Sequence, residues 1–546
     1  MRWAQSSSLF FVLFSWTLGC NARENTGPAA LDAGAAKPMV TAAESLATTG
    51  SATMMESSTS AVTATTTTTA TMMAASGGNN AMDAGVTKPP VVVDASTREA
   101  DKADKADAAT AQPGAAALDP EISAVVQAVD PMRVGMSIEK LSSFTTRNTC
   151  SDGTAGGNAI GAARDWIQSQ LQAVPGFTVS LQNAPFRGCN GGMVTVQNVV
   201  AVKLGAHPER VFAIGGHYDS RSTNGTDPTS VSPGANDSGS QTSALLEIAR
   251  ALGPLQLDAT VLIAAFTGEE QGLIGSGQLA KDYATFVVPN AKIEAMFNMD
   301  IVGGDNTVND ELTLQQFRLF SAGTPRESNR MGVTDDTSPA RGVMRYIGHW
   351  GSKYVPSMTM LPNLREDRPG RGSDQSSFLD QGIPAVRFIE VLESENAGTT
   401  NSHQHSPNDL PKFVTPAYTA RIVQIITAVT ASLARAPMAP TIEGATGATM
   451  LTWKAPAAGP AVDHYVIAAR PTTENLYHTR VVAPAMPTSM QLTAADLGLT
   501  SGSAFFISVA SVDAAGHESL FAYPEYRCDS NNCQVQQGSL DVTTRN

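Results

Sequence analysis

Val211–Arg250 reads VFAIGGHYDSRSTNGTDPTSVSPGANDSGSQTSALLEIAR. VFAIGG is a short apolar run closed by two glycines, the form of a buried strand that ends at a sheet edge. The polar HYDS follows at once, so His217 stands at the strand end. Asp219, two residues on and on the same side of an extended chain, is within reach of one ring nitrogen and leaves the other for a metal. Beyond a loop punctuated by Pro and Gly, GAND leads into SQTSALLEIARAL, whose apolar residues recur at helical spacing and put Asp237 just before a helix. Taken singly, a surface histidine and a helix-capping aspartate account for these two residues at least as well.

Partners of the right type end later apolar segments. TVLIAAF, Thr260–Phe266, is a strand by composition and runs into TGEEQGLIGS, so Glu269 and Glu270 emerge side by side where strand gives way to helix. IEAMFNMD closes on Asp300, a carboxylate that would cost several kcal/mol to bury without a partner. His405 follows in NSHQHSPND. A metal cation would remove the cost of gathering these acids.

GGHYDS, GAND before ALLEIAR, AAFTGEEQGLIGS, NMDIVG, GRGSDQSSFLDQGIPA and HQHSPND, in that order, resemble the zinc aminopeptidases of family M28 from about Gln197 to Ala434. The resemblance implies an α/β/α sandwich with a mixed, mostly parallel sheet. It implies two zinc ions, with His217 and Asp300 on one, Glu270 and His405 on the other, and Asp237 bridging them. Glu269 becomes the general base and Asp219 the partner of His217. His405 is preferred to His403 because the family spaces its histidine four residues before an aspartate, here Asp409; His403 then reads as a solvated loop residue.

Two imidazoles and three carboxylates form a mixed N/O set that suits zinc better than magnesium or calcium. Two ions roughly 3.5–4 Å apart share a water and lower its pKa toward 7. Glu269, beside a ligand without being one, can take that proton and pass it to a leaving amine. The expected activity is removal of N-terminal residues from peptides. Alternatives are a one-zinc glutaminyl cyclase-like acyltransferase, a carboxypeptidase-type relative, or an inactive binding or adhesion protein.

Outside this region the 546-residue chain changes character. Residues 1–20 carry an early Arg, an apolar stretch and Gly19-Cys20, which reads as a lipoprotein-type signal with Cys20 as the lipid anchor. Residues 21–118 are rich in Ala, Thr and Ser with almost no aromatics, which predicts a disordered tether spanning on the order of 50–60 Å. The expected compartment is the bacterial cell envelope or the exterior. Residues 119–436 hold the enzyme region, opening with a helix at Asn158–Val174. Cys150 and Cys189 flank that helix and Cys528 and Cys533 lie near the C-terminus, two natural disulfide pairs in an exported protein. Asp374, Arg365, Arg368 and Arg371 lie on a polar, Gly-rich loop that is either solvated or placed to contact substrate or orient ligands, Asp374 as a second partner behind the ligands.

Pro437–Pro440 reads as a linker. After it, short alternating strands with Trp453, Tyr465 and Phe506 as core aromatics look like a fibronectin type III domain, residues 437–546 with a short tail, a β-sandwich with no catalytic constellation. A net charge of −14 without a basic cluster argues against nucleic acid, leaving peptides as partners and a membrane only through the lipid. Nothing in the sequence sets the oligomeric state.

Overall fold

The computed structural model describes residues 118–154, 157–323, 337–368, 371–394, 403–446, 450–493, 495–500, 502–529 and 532–535. The signal, Cys20 and all but the last residue of the tether expected at residues 21–118 lie outside them.

The strands of the main sheet are β1 (Thr178–Arg187), β2 (Met193–Lys203), β3 (His207–His217), β4 (Ala259–Phe266), β5 (Lys292–Met299), β6 (Gln316–Ser321), β7 (Thr359–Asn363) and β8 (Ala385–Ile389). They lie in the order β1-β2-β4-β3-β5-β8-β6-β7. The middle, β4-β3-β5-β8, is parallel throughout, whereas β1, β2 and β6 join by antiparallel pairings. Central strands are apolar on both sides because both faces are covered. Phe212 and Ile214 point into one core, and Val211 and Ala213 into the other.

The helices are α1 (Pro120–Gln127), α2 (Pro131–Ser142), α3 (Ile160–Gln172), α4 (Gln241–Leu252), α5 (Ile274–Asp282), α6 (Pro339–Tyr346), the single turn α7 (Ser352–Tyr354), α8 (Gln375–Asp380) and α9 (Pro416–Arg435). Asp119 and Asp130 cap α1 and α2, each followed by Pro in the first helical turn, where its missing N–H costs nothing. α1, α2, α3, α4 and α9 contribute to the larger core on one face, while α5 and α8 cover the other. α9 is long and apolar enough to cross a membrane, but 83% of that stretch is buried in the protein as a core helix. Cys150 is joined to Cys189, which ties the loop before α3 to the β1–β2 hairpin.

From Thr441 onward the chain forms two antiparallel sheets. One holds β9 (Thr441–Thr446), β10 (Met450–Lys454) and β13 (Ser489–Gln491); the other holds β11 (Val462–Pro471), β12 (Thr479–Pro484), β14 (Phe505–Asp513), β15 (Tyr526–Cys528) and β16 (Cys533–Val535). Trp453 and Tyr465 meet edge to face at 5.1 Å in their shared core. Phe505, not Phe506, faces that core; Phe506 lies on the opposite face of β14 under the Arg470 guanidinium. A strand buried along its whole length, as β14 is, gives no alternation from which to set the phase. The Cys528–Cys533 disulfide joins β15 to β16.

The stretch read as a linker packs against the sheet region. Pro437 and Pro440 are buried, and the Ala436 carbonyl accepts from Arg210. Arg345 of α6 donates to the Asn475 carbonyl and pairs with Glu525, while Tyr346 donates to the Glu518 carbonyl. At the other end of the chain, His517 and Arg435 both reach the Asp119 carboxylate at 2.7 Å.

Candidate metal centre

The carboxyl ends of β3, β4 and β5 finish level with one another: His217 is paired with Phe266, and Gly215 with Asn298. Side chains that follow these ends converge outside the sheet edge, where α/β folds place their ligands. His217 is the last residue of β3, Glu269 and Glu270 follow β4 by a short turn, and Asp300 follows β5. Asp237 arrives from the turn before α4 and His405 from the loop after β8.

These residues form two groups that share one member. His217 Nε2 lies 3.3 Å from Asp237 Oδ1 and 3.4 Å from Asp300 Oδ1. His405 Nε2 lies 3.1 Å from Asp237 Oδ2 and 3.2 Å from Glu270 Oε1. In each group of three, one ligand-type atom per residue lies within 4.8 Å of the others. Asp237 therefore turns one oxygen to each group. Its Oδ1 and Glu270 Oε1 are buried without a hydrogen-bond partner, a cost native proteins rarely carry unless something else satisfies the atom. Converging imidazole and carboxylate donors with orphaned oxygens between them fit a zinc site.

The local chain is built to hold this arrangement. Gly234 has φ +53°, and a Cβ there would stand 2.6 Å from the Asp237 carbonyl and 2.9 Å from Arg147 Nη2, so the turn needs glycine. The backbone N–H groups of Asn236 and Asp237 donate to the two oxygens of Asp409, at 2.8 and 2.9 Å. Arg147, fully buried, donates to the carbonyls of Tyr218, Pro233 and Gly234 and so pins the chain after His217 to the chain before Asp237. Burial pulls its guanidinium down to about 10, still charged at neutral pH. His405 takes φ +55°, a left-handed conformation costing a residue with a side chain about 1–3 kcal/mol.

Arginines hold the outer oxygens of two of these acids. Arg387 Nη2 is 2.9 Å from Asp300 Oδ2, and its Nη1 is 2.5 Å from Asp367. Arg221 Nε is 2.6 Å from Glu270 Oε2, and its Nη2 is 2.8 Å from His405 Nδ1.

Asp219 stands beside His217 and also holds the turn after β4. Its backbone carbonyl, at 3.2 Å, is the bond to His217 Nδ1, with the carboxylate at 3.6 Å. That carboxylate also accepts from the N–H groups of Glu269 and Glu270 and from Thr149 Oγ1. It thereby orients the turn carrying both glutamates. His403 is buried, bonded to Asp305 at 2.9 Å and stacked on Phe413 at 3.8 Å, so it is not a solvated loop residue. Nor is Arg368, which pairs with Asp367 and Glu393.

Electrostatics separates the acids. Burial raises the Glu269 carboxyl well above the ordinary range, with Asp300, Glu270 and Asp374 adding to the shift and His217 opposing it. Burial pushes Asp374 up to about 7 against the pull of His217 and Ser276; neither of its oxygens meets hydrogen-bond geometry. Burial lowers His405, but its bonds to Asp237 and Glu270 outweigh that and hold it up to about 10. Arg147, Arg221, Arg387 and Asp409 are the functional-site residues that sequence reading left without a role there. Their partners are distant along the chain, and only the spacing of Asp409 from His405 signalled any of them.

The sequence profile described as "Peptidase family M28" matches residues 198–430. A "Probable zinc metalloprotease" of Leptosphaeria maculans is 36% identical over 333 residues, covering 56% of this chain and 74% of the relative. Another of the same description, from Pyrenophora tritici-repentis, is 31% identical over 443 residues, covering 76% of this chain and 100% of the relative. Among solved structures, the Legionella pneumophila LapA aminopeptidase aligns at 18% identity with a TM-score of 0.44, covering 57% of this chain and 74% of that one.

Proposed function

The chain belongs to peptidase family M28, a family of zinc metallopeptidases, and from that premise we propose an exported exopeptidase that uses two zinc ions to remove N-terminal residues from peptides. The observation that carries the reading is the pair of ligand groups sharing Asp237. His217, Asp237 and Asp300 would hold one ion; Asp237, Glu270 and His405 the other. Zinc bound there supplies a water of lowered pKa and a polarised scissile carbonyl.

The remaining work falls to the chain. Glu269 accepts a proton from the attacking water and returns it to the departing amine. Asp219 keeps Glu269 and Glu270 in place through their backbone N–H groups, so base and ligand share one anchor. Arg387 and Asp409 fix Asp300 and the Asp237 turn. The C-terminal sheets serve as a type III-like module that spaces or docks the enzyme, and Cys20 as a lipid anchor.

The test is a panel of short peptides, free or blocked at either end, assayed with and without chelator, alongside zinc analysis of the purified protein. Cleavage only where the N-terminus is free, lost with chelator and restored by zinc at two ions per chain, is the expected result. Cleavage requiring a free C-terminus would give the carboxypeptidase-type reading. A single ion, with cyclisation of N-terminal glutamine, would give the acyltransferase.

A further inference from the structure

Asp237 and Asp300 bring oxygens within 4.8 Å of each other from separate segments, one leading into α4 and the other leaving β5. Whatever ties those segments together therefore sets the spacing of two acids in one ligand group. The chain after Asp300 supplies the tie. Residues 301–305 belong to no helix or strand, so their N–H groups need partners outside the regular ladders. All five donate to side chains. Ile301 N–H reaches Gln241 Oε1 at 3.3 Å, Val302 reaches Ser240 Oγ at 3.1 Å and Gly303 reaches Asn236 Oδ1 at 2.9 Å. Gly304 and Asp305 both reach Glu390 Oε2, at 2.5 and 3.0 Å.

The first three acceptors lie on either side of Asp237 in the chain, and Glu390 follows β8. Glu390 Oε1 accepts from Asn236 Nδ2 at 3.1 Å, which closes the ladder onto the residue before Asp237. Gly303 has no room for a side chain, since a Cβ there would stand 2.3 Å from Asn236 Oδ1. Glu390 is fully buried, and its own N–H donates to the Ile301 carbonyl at 2.9 Å. Ile301 takes φ +59°, a left-handed conformation that a β-branched residue keeps only where its surroundings over-determine it. That strained residue directly follows Asp300, so a loosened segment would relax and carry Asp300 with it.

We propose that Glu390, none of whose hydrogen bonds goes to a ligand, is a positioning residue that fixes the spacing of Asp237 and Asp300 through Asn236 and the 303–305 backbone. The inference rests on the reading that zinc sits on His217, Asp237 and Asp300. Gln in place of Glu390 keeps the volume but turns amide N–H groups either toward Asn236 Nδ2 or toward the Gly304 and Asp305 N–H groups, donor against donor.

The test is competition of the metal-free full chain with a chromophoric zinc chelator, alongside thermal unfolding of the same metal-free proteins. Asp300→Asn identifies the zinc held by the His217/Asp237/Asp300 group by removing it. Glu390→Gln should weaken that zinc by about tenfold or more, the loss that follows when a group orienting a ligand is removed. Asn236→Ala should weaken it as well, and it carries the prediction alone should Glu390→Gln not fold. The double variant should lose less than the two single losses combined, since both break one ladder. A merely structural Glu390 would lower the unfolding temperature and leave zinc affinity per folded chain unchanged. That result, or single losses that combine in full, overturns the proposal while leaving the zinc reading intact. A wild-type chain that binds no zinc overturns that reading and this inference with it.

Discussion

The sheet region that ends at Arg435 and the β region that follows it both bury charged side chains, but they balance them in opposite ways. At the sheet edge Asp237, Glu269, Glu270, Asp300 and Asp374 gather around two histidines, and oxygens of Asp237, Glu270 and Asp374 are left without hydrogen bonds. Against the C-terminal sheets the buried carboxylates of Glu525 and Glu518 are answered by arginine. Glu525 binds Arg345, Arg470 and Tyr477; Glu518 binds Arg480 and Trp350. Unanswered burial is costly and is retained where a cation or a reaction uses it; answered burial attaches one part of a protein to another. Charge loss in the first region should therefore remove rate and spare the fold, and in the second do the reverse.

The sharpest form of that contrast is Glu269→Gln. It keeps shape and ligands but removes the proton acceptor, so peptide hydrolysis should fall by roughly 10²–10⁴ while zinc content and thermal unfolding hold. Glu270→Gln should differ by losing zinc as well. An undiminished rate in metal-replete Glu269→Gln would break the comparison at its strongest point.

Across the divide, Glu525→Ala strips one carboxylate from two buried arginines and a tyrosine. A loss of about 3–5 kcal/mol in denaturant unfolding is expected, with the hydrolysis rate per folded molecule unchanged. Should the rate drop in protein that remains folded, the β region takes part in catalysis.

The covalent links give a smaller effect. Cys528 and Cys533 are 5 residues apart, so replacing both by Ala should cost about 2 kcal/mol in the chain-entropy account, against roughly 4 kcal/mol for Cys150–Cys189 with its separation of 39. Comparing unfolding midpoints of the two double variants checks the order.

The smallest expected effect depends on pH. Burial lowers the His517 pKa, but its bonds to Asp513 and Asp119 outweigh this and raise it overall. A raised folded-state pKa gives stability that is fully present below the unfolded value near 6.5 and is lost as pH rises through the folded one. His517→Gln should thus destabilise more at pH 6 than at pH 9. Equal losses at both would mean that its charge contributes nothing to the attachment of the C-terminal sheets.

What could be read from the sequence follows the same divide. His217, Glu269, Glu270 and Asp300 were legible as polar residues leaving the sheet because each follows an apolar run. Their arginines were not, since Arg147 and Arg387 act on carbonyls and carboxylates far along the chain, and a lone arginine in a segment carries no periodic mark. Asp219 was placed beside His217 correctly, but its carboxylate turns to the Glu269–Glu270 turn, a choice that depends on the neighbouring strand. The burial of Pro437, Pro440 and Arg368 was not legible, because proline and charge carry no local mark of the distant partners that cover them.

The ligands come from points as far apart as residues 217 and 405, and the Asp409 clamp comes later still. While the chain is being made, roughly 10–40 s separate the appearance of the first and last of them. Until then neither the second histidine nor the hold on Asp237 exists. The gathering of these side chains is therefore completed only after every strand of the main sheet has been made.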